Sequence, residues 1–327
     1  MMKKVVFALL ALSAGLCSCS QSDEPNNVPD KYVSVTIGTK SEVLEKSIIE
    51  PGGTTSWDVN DVVNIIDANG TVQPFTYADE TAKASAKFTG LLLANQGSQV
   101  YKAYHAPENS IVSLNGQSLF IERKDIEIDE HGIENNSAMF GSYCPMVAMP
   151  VEFDANDTSG DKPLQFYQLM SMIEGRVSLR TEEDGYYLAK RFDEVRFEIQ
   201  ANGSMPFYKT IELALDRLTV DSKVGDINEC IVNNGNSEMT DYMCTIMHME
   251  ERSIAELKEE YKKLGSFPIP IFALPTDLEF DYTATVSFYY KGNPQLILQG
   301  SATAERLNPV GLNVLNFDHN KIVPIYN

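Results

Sequence analysis

Short stretches in which apolar and polar residues alternate recur along most of the chain, and turn residues separate them. In residues 32–37, Tyr-Val-Ser-Val-Thr-Ile, the alternation is typical of a half-buried β-strand. Residues 62–66 form a compact apolar run that ends at Asp67-Ala68-Asn69-Gly70, and Asn-Gly is a strong turn signal. The same reasoning predicts further strands at 72–77, 85–89, 100–105, 111–114, 118–121, 125–128, 164–179, 194–200, 207–215, 226–232, 242–247, 280–290, 295–300 and 312–317.

Many short strands between Gly, Asn and Pro turns predict an all-β fold, built as an antiparallel sandwich or barrel. The most loop-like stretch in the middle of the chain is 154–163, Asp-Ala-Asn-Asp-Thr-Ser-Gly-Asp-Lys-Pro. We therefore expect two β-domains, 32–155 and 163–327.

A single helix interrupts the strand pattern near 253–264. Ser253 precedes Glu256 by three residues, which predicts a capping box in which each side chain meets a backbone N–H of the first turn. Ile254, Leu257, Tyr261 and Leu264 follow at helical spacing. The helix is expected to cover one face or edge of the second domain.

The first residues are typical of an export signal rather than of a folded element. Residues 1–18 combine a basic start with an apolar run that is too short to cross a bilayer. The run Leu16-Cys17-Ser18-Cys19 resembles a bacterial lipobox, with Leu at −3 and a small residue at −1, and Cys19 is the predicted lipidation site. Acylation of Cys19 would hold the protein durably on a membrane.

The residues behind Cys19 predict where the protein is displayed. An acidic stretch, Ser-Gln-Ser-Asp-Glu at 20–24, directly follows the lipid cysteine and resembles the surface-export signal of Bacteroides-type lipoproteins. Residues 19–31 are polar and contain two prolines, which is typical of a flexible tether. We expect a lipoprotein on the outer face of the outer membrane.

Composition excludes some classes of function and leaves the cysteines open. The formal net charge of −20 argues against nucleic acid as a partner, because phosphates require basic patches. Beyond the signal the cysteines are Cys144, Cys230 and Cys244, an odd number at irregular spacing that predicts no disulfide framework. Cys230 and Cys244 could pair, although three buried thiols are the simpler interpretation.

No pattern in the sequence indicates catalysis, a metal or a cofactor. The four histidines lie apart from each other and from any cysteine at ligand spacing: His105, His131, His248 and His319. Nucleophile-elbow, Walker and dinucleotide motifs do not occur. A carboxylate pair, as in a glycosidase, could still meet in a cleft. Trp57 is the only tryptophan, and we expect it in the core rather than on a sugar-binding platform.

Four segments in chain order resemble the fimbrillin-like proteins, the lipoprotein pilins and accessory subunits of type V pili in Bacteroides-type bacteria. Residues 57–65 resemble that family's W-x-x-x-D-x-φ-x-φ segment, in which φ is apolar. Residues 88–90, Phe-Thr-Gly, are similar to its F-x-G strand end, where Gly90 would permit a tight turn. Residues 101–107 resemble its Y-x-A-Y-Y-P segment, and 164–171 resemble the strand that opens its second domain.

The resemblance implies two tandem transthyretin-like β-sandwiches with Greek-key antiparallel sheets. It also implies assembly by β-strand exchange, in which a protease removes an N-terminal strand and a strand of the next pilus subunit fills the groove. In this chain 32–37 is the candidate for the removable strand and 312–326 is the candidate donor. Host or bacterial surface ligands are further partners that the resemblance implies.

One departure concerns maturation. The best-known members are cut after an arginine, and the first arginine after the tether is Arg123; Lys40 and Lys46 are the basic residues near the predicted first strand. Another protease, or an uncleaved anchor or tip subunit, is therefore favoured. The leading hypothesis is a structural or adhesive pilus subunit that is not an enzyme. The alternatives are a surface lipoprotein that binds glycans for nutrient capture and a secreted hydrolase.

Overall fold

The computed structural model describes residues 32–41, 57, 59–81, 85–94, 97–129, 143–157, 162–178, 190–232, 238–260, 266–276, 278–304, 307, 312–318 and 321–325. Strands dominate these residues. They are β1 (Tyr32–Ser41), β2 (Val62–Ile66), β3 (Val72–Tyr77), β4 (Ser85–Leu93), β5 (Gln99–His105), β6 (Ile111–Asn115), β7 (Ser118–Glu122), β8 (Ile126–Asp129), β9 (Met146–Phe153), β10 (Lys162–Gln168), β11 (Ser171–Ser178), β12 (Arg191–Ala201), β13 (Phe207–Tyr208), β14 (Thr210–Ala214), β15 (Ile231–Val232), β16 (Met239–Thr240), β17 (Tyr242–Ser253), β18 (Ser266–Ala273), β19 (Phe280–Tyr290), β20 (Asn293–Ala304), β21 (Leu312–Asp318) and β22 (Lys321–Ile325).

Seven strands form a sheet that closes on itself, in the order β1-β10-β9-β5-β2-β3-β4. The closure depends on β1, which pairs antiparallel with β4 and parallel with β10. The inward side chains fill the closed sheet with apolar residues, among them Ile65, Phe75 and Phe88. This barrel encloses one of the two hydrophobic clusters found in the described part of the chain.

The second cluster lies between two further sheets that face each other. One has the order β20-β19-β12-β17-β8, and the other has the order β18-β11-β21-β22. Aromatic rings meet across the space between them: Phe197 of β12 lies 5.9 Å from Phe317 of β21, measured between ring centroids, and Phe288 of β19 lies 6.4 Å from Phe267 of β18. The Phe197 ring also packs on Gly175 of β11, where a Cβ would lie 3.0 Å from a ring atom.

A smaller sheet, β15-β14-β7-β6, and a short pair, β13-β16, complete the described architecture. An ion pair between buried Arg123 and exposed Asp125 connects the small sheet to the five-stranded one. Arg123, next to the end of β7, donates to Asp125 at 2.8 Å, and the same carboxylate oxygen accepts the backbone N–H of Cys244 in β17 at 3.1 Å. Arg123 is 7% exposed and the Asp125 side chain is 53% exposed, so the contact holds the start of β8 against β17 at the protein surface.

The predicted helix is present as α1 (Ile254–Glu260), with Ile254 and Leu257 buried. Its capping box is confirmed: the Ser253 N–H donates to Glu256 Oε2 at 2.5 Å, and the Glu256 N–H donates to Ser253 Oγ at 3.3 Å. Two 3₁₀ helices, Leu215–Arg217 and Val224–Cys230, lie near β14 and β15. Among the described residues, no helix has the length and apolar content that a membrane span would need.

The all-β prediction is confirmed, and three of its strands were wrong in detail. Residues 207–215 were predicted as one strand, but the chain breaks at Lys209 into β13 and β14, which belong to different sheets. Residues 226–232 were predicted as a strand, but most of them form the 3₁₀ helix, because Asp226 accepts the backbone N–H of Lys223 at 2.8 Å and starts a helical turn. Residues 164–179 were predicted as one strand, but the chain breaks at Leu169–Met170 into β10 and β11, which belong to different sheets.

The strands around 154–163 both belong to the barrel. β9 ends at Phe153 and β10 begins at Lys162, and the two strands pair antiparallel. The division into domains 32–155 and 163–327 stays a prediction, as does the tandem transthyretin-like arrangement.

Candidate functional site

The first strand, β1, is held by a hydrogen-bonded ladder along its full length and by a second ladder along its C-terminal half. Its antiparallel partner is β4, from Tyr32↔Leu93 to Lys40↔Ser85. Its parallel partner is β10, from Ile37↔Lys162 to Ser41↔Phe166. If β1 were absent, β4 and β10 would become the two walls of a groove with unpaired N–H and C=O groups.

Every second side chain of β1 points into the barrel. Val35, Ile37 and Thr39 are 3%, 0% and 1% exposed, whereas Tyr32 and Ser34 are exposed. The predicted period-two pattern of 32–37 is therefore confirmed, and the strand continues past it to Ser41.

Thr39, the polar residue among the inward-facing side chains of β1, forms hydrogen bonds with β4. Thr39 Oγ1 donates to the carbonyl of Ala86 at 3.2 Å, and Ser85 Oγ donates to the Thr39 carbonyl at 2.8 Å. A buried hydroxyl requires such a partner, because an unpaired one costs free energy. Thr39 thus requires the register in which it faces Ala86.

Gly90 does not make the turn that the sequence suggested. It lies inside β4, opposite Val35 of β1, and its backbone is not in the positive-φ region. Instead, the ring of Phe75 lies against its Cα: a Cβ at this position would be 2.4 Å from Cδ2 of that ring. Gly90 is required here for the close approach of an aromatic side chain, and not for conformational freedom.

The family-like segments meet in the barrel core although they are far apart in sequence. Trp57 is 2% exposed, which confirms its predicted core position. Its ring makes edge-to-face contacts with Phe88, His105 and Phe166, at centroid separations of 5.1, 5.2 and 5.2 Å. Since Trp57 is enclosed, it is not available as a sugar platform.

His105 is buried and has a structural partner. Its Nδ1 donates to the carbonyl of Val62 at 2.9 Å, and its Nε2 lies 3.8 Å from an Asp61 carboxylate oxygen. Asp58, in the same family-like segment as Asp61, lies outside the described residues. The ring of His105 therefore fastens the start of β2 to the end of β5.

The candidate donor at the C terminus is partly built into the core. β21 pairs parallel with β11, and its Val314, Leu315 and Phe317 are buried. Among the described strands, β22 pairs only with β21, from Val314↔Ile325 to Asp318↔Lys321, at the edge of its sheet. Tyr326, the last residue of the predicted donor, lies outside the described residues.

Comparison with solved structures identifies the fold. The structure is similar to a proposed cell adhesion protein from Bacteroides uniformis, with a TM-score of 0.51, 11% sequence identity, and coverage of 89% of this chain and 95% of that chain. The two proteins share a fold. The resemblance to fimbrillin-like proteins is thus supported at the level of the fold.

Other comparisons are more distant. A proposed cell adhesion protein from Bacteroides ovatus aligns with a TM-score of 0.48 at 8% identity, over 90% of this chain and 96% of that one. A fimbrial assembly protein from Parabacteroides distasonis aligns with a TM-score of 0.34 at 8% identity, over 88% and 92%. No family model and no curated protein matches the sequence.

The remaining candidate residues are separated from the groove. His248 lies on the outer face of β17, where its Nε2 is 2.6 Å from a carboxylate oxygen of Glu127 and its Nδ1 is 3.9 Å from Glu194. Within the described ranges no group of three His, Cys, Asp or Glu side chains could hold a metal ion. His131 and His319 lie outside the described residues, and so does Cys19, whose lipidation stays a prediction.

The three described cysteines are buried and form no disulfide, so Cys230 and Cys244 are not paired in this structure. Burial raises the pKa of the Cys144 thiol well above its usual range, and it raises the pKa values of Cys230 and Cys244 as well. A thiol of raised pKa carries little thiolate, the reactive form. These cysteines therefore act as small apolar core residues.

Proposed function

We propose that this protein is a fimbrillin-like structural or adhesive subunit of a surface pilus, and that it assembles by β-strand exchange at the barrel. The observation that carries the proposal is the position of β1 between β4 and β10, where it completes a closed sheet. A strand that closes a barrel leaves a single-strand gap when it is removed. Another chain can fill that gap with a strand of the same period.

The side chains of β1 define what such a strand must supply. Val35 and Ile37 occupy apolar positions, and full burial of each side chain contributes about 1.5–3 kcal/mol. Together they contribute about 3–6 kcal/mol, whereas the whole free energy of unfolding of a typical domain is about 5–15 kcal/mol. A subunit without β1 would therefore have a strong tendency to accept a replacement.

The C-terminal residues 312–326 are the proposed donor. In the present structure β22 is an edge strand with one ladder, so its release would break one set of backbone hydrogen bonds. Release of β21 would cost more, since Phe317 is fully buried against Phe197. The proposal therefore places the exchange at β22 first.

The setting of the proposal follows from the export signal. Residues 1–18 direct export, acylated Cys19 anchors the precursor in the outer membrane, and the tether 19–31 leads into two transthyretin-like domains, 32–155 and 163–327. Other pilus subunits, and host or bacterial surface ligands, are the proposed partners. No enzymatic role is proposed.

Controlled removal of β1 tests strand exchange. A specific protease site is inserted after Lys46, between β1 and Trp57, and the cut protein is partly unfolded in urea and then returned to buffer. We expect fibres by electron microscopy and a ladder of oligomers on mild gels. Uncut protein treated in the same way is the control and is expected to remain unpolymerised.

A peptide competitor makes the test specific to the groove. Excess peptide of sequence 32–41 should block fibre formation, whereas the same peptide with Asp in place of Val35 and Ile37 should not. If cut protein that has lost β1 stays monomeric at high concentration, the strand-exchange proposal is refuted.

A further inference from the structure

The sheet edges in the described part of the chain differ in how they are protected. Natural proteins guard edge strands with charges, prolines or short length, because an unguarded edge can pair with another chain. β18 carries Pro268 and Pro270, and prolines are tolerated in edge strands where the missing N–H would face outwards. β22 contains Lys321 and Pro324, whereas β6, β8 and β15 are five, four and two residues long.

β20 is the exception. It runs for 12 residues, Asn293–Ala304, at the edge of the five-stranded sheet. No ionisable residue occurs in it, and its only proline, Pro294, is the second residue. Among the described strands it pairs only with β19; β22 of the facing sheet comes close to it but forms no ladder with it.

Three polar side chains in the second half of β20 are bonded to β19. Gln299 Nε2 donates to Thr285 Oγ1 at 3.1 Å, the Ser301 hydroxyl lies 3.1 Å from the Thr283 hydroxyl, and Thr303 Oγ1 donates to Asp281 at 2.5 Å. These contacts draw the side chains away from the outer flank of the strand. The large apolar side chain on the same face, Ile297, is 51% exposed.

We propose that β20 is an interaction surface for a second copy of this chain. The two strands would pair antiparallel about a two-fold axis, so that two five-stranded sheets join into one continuous sheet. The argument for a second copy is electrostatic: with a net charge of −20, two copies repel each other over most of their surfaces, and the uncharged strip of β20 minimises that repulsion. In the register that we propose, the two-fold axis passes at Ile297, so that this exposed apolar side chain is buried beside its own counterpart.

β20 and β1 belong to different sheets, so the pairing does not use the groove that β1 would leave. The proposed donor β22 does come close to β20, and the pairing is therefore tested in full-length protein with β1 in place. Two-fold pairing through β20 would connect subunits side by side, whereas exchange at β1 would connect them end to end. The proposal can thus succeed or fail whatever the outcome at the barrel.

Disulfide trapping in the full-length protein tests the pairing. Ile297→Cys is expressed with its export signal and treated with a mild oxidant in intact membranes. Met205→Cys and Leu91→Cys are the matched controls, because these side chains are 62% and 53% exposed and lie outside β20. The cysteines of the wild-type sequence that the structure describes are buried, and wild-type protein therefore gives the background level of disulfide-linked dimer.

We expect a reducible dimer from Ile297→Cys and at most the background level from the controls. Ile297→Lys, which places two like charges at the axis and removes the apolar contact, should weaken the dimer by about tenfold or more in sedimentation equilibrium in density-matched detergent. A wild-type protein that sediments as a monomer, or trapping that is no stronger at position 297 than at 205, would overturn the proposal.

Discussion

Replacement of Gly90 by Ala tests whether the contact between Gly90 and Phe75 is an essential part of the barrel. The new Cβ would lie 2.4, 2.6 and 2.7 Å from three carbon atoms of the Phe75 ring. All three distances are far below a van der Waals contact, and they involve the body of a rigid ring. Phe75 is fully buried, so it can move only by disturbing its neighbours.

Two opposing effects determine how much Gly90→Ala changes the free energy of unfolding. Overpacking of a well-filled core costs about 1–3 kcal/mol. Replacement of Gly by Ala within a strand returns about 0.5–1 kcal/mol, because Ala loses less conformational freedom on folding. The expected net result is a decrease of about 1–2 kcal/mol in the free energy of unfolding.

Urea denaturation followed by tryptophan fluorescence measures this decrease. Trp57 is the only tryptophan and contacts Phe88, which neighbours Gly90 in β4, so its emission reports on the affected core. The midpoint should fall without a change in the slope of the transition. Gly225→Ala is the matched control: its Cβ would meet nothing within 4 Å, and we expect a change within about 0.5 kcal/mol.

A double-mutant cycle completes the test. Phe75→Ala alone should cost about 3–5 kcal/mol, since it leaves a cavity. In the Phe75→Ala background, Gly90→Ala should have no cost, because the clashing ring is absent. Wild-type stability of Gly90→Ala, or additive effects of the two changes, would refute the proposed role of Gly90.

Four further predictions concern single side chains. Ile37→Ala should lower the free energy of unfolding by about 2–5 kcal/mol in urea titrations, whereas Ser34→Ala on the outer face of β1 should change it by less than about 0.5 kcal/mol. Ser253→Ala should cost about 1 kcal/mol and increase hydrogen exchange in the first turn of α1. A hydrogen bond from the backbone N–H of Ser253 lowers the pKa of Glu256. The stabilisation that ionised Glu256 provides is therefore present above the ordinary glutamate pKa and is lost as the pH falls through the lowered pKa. Glu256→Gln should remove this pH dependence when the free energy of unfolding is measured across the acid range. Cys144 should resist thiol reagents at pH 8 in the folded protein and react after unfolding; rapid labelling of the folded protein would contradict its burial.

The sequence predicts strands well where one face is buried and the other is exposed. β2 and β3 begin and end at the predicted residues, and the pattern of β1 is correct over 32–37. Two of the strands that were missed, β9 and β18, are buried at most positions. Apart from Glu152 and Ser266 their side chains are apolar, so no regular alternation distinguishes them.

The candidate site could be predicted only in part for a related reason. The inward positions Val35 and Ile37 follow from local periodicity, which the sequence displays directly. The parallel ladder between β1 and β10 joins residues that are far apart in sequence, and no local pattern specifies that partner. The contact of Phe75 with Gly90 is of the same kind, so a glycine that suggested a turn proved to be a packing position.

The two ladders of β1 give the groove a direction. A replacing strand that reproduces both ladders runs antiparallel to β4 and parallel to β10, in the orientation that β1 has. Residues 37–40 pair with both walls, whereas 32–36 have a ladder with β4 alone, so the N-terminal half should separate first when β1 leaves. A donor should therefore dock first at the doubly walled half, where each residue gains two partners. Its inward residues must match Ile37 and Thr39 there before the remaining residues pair along β4.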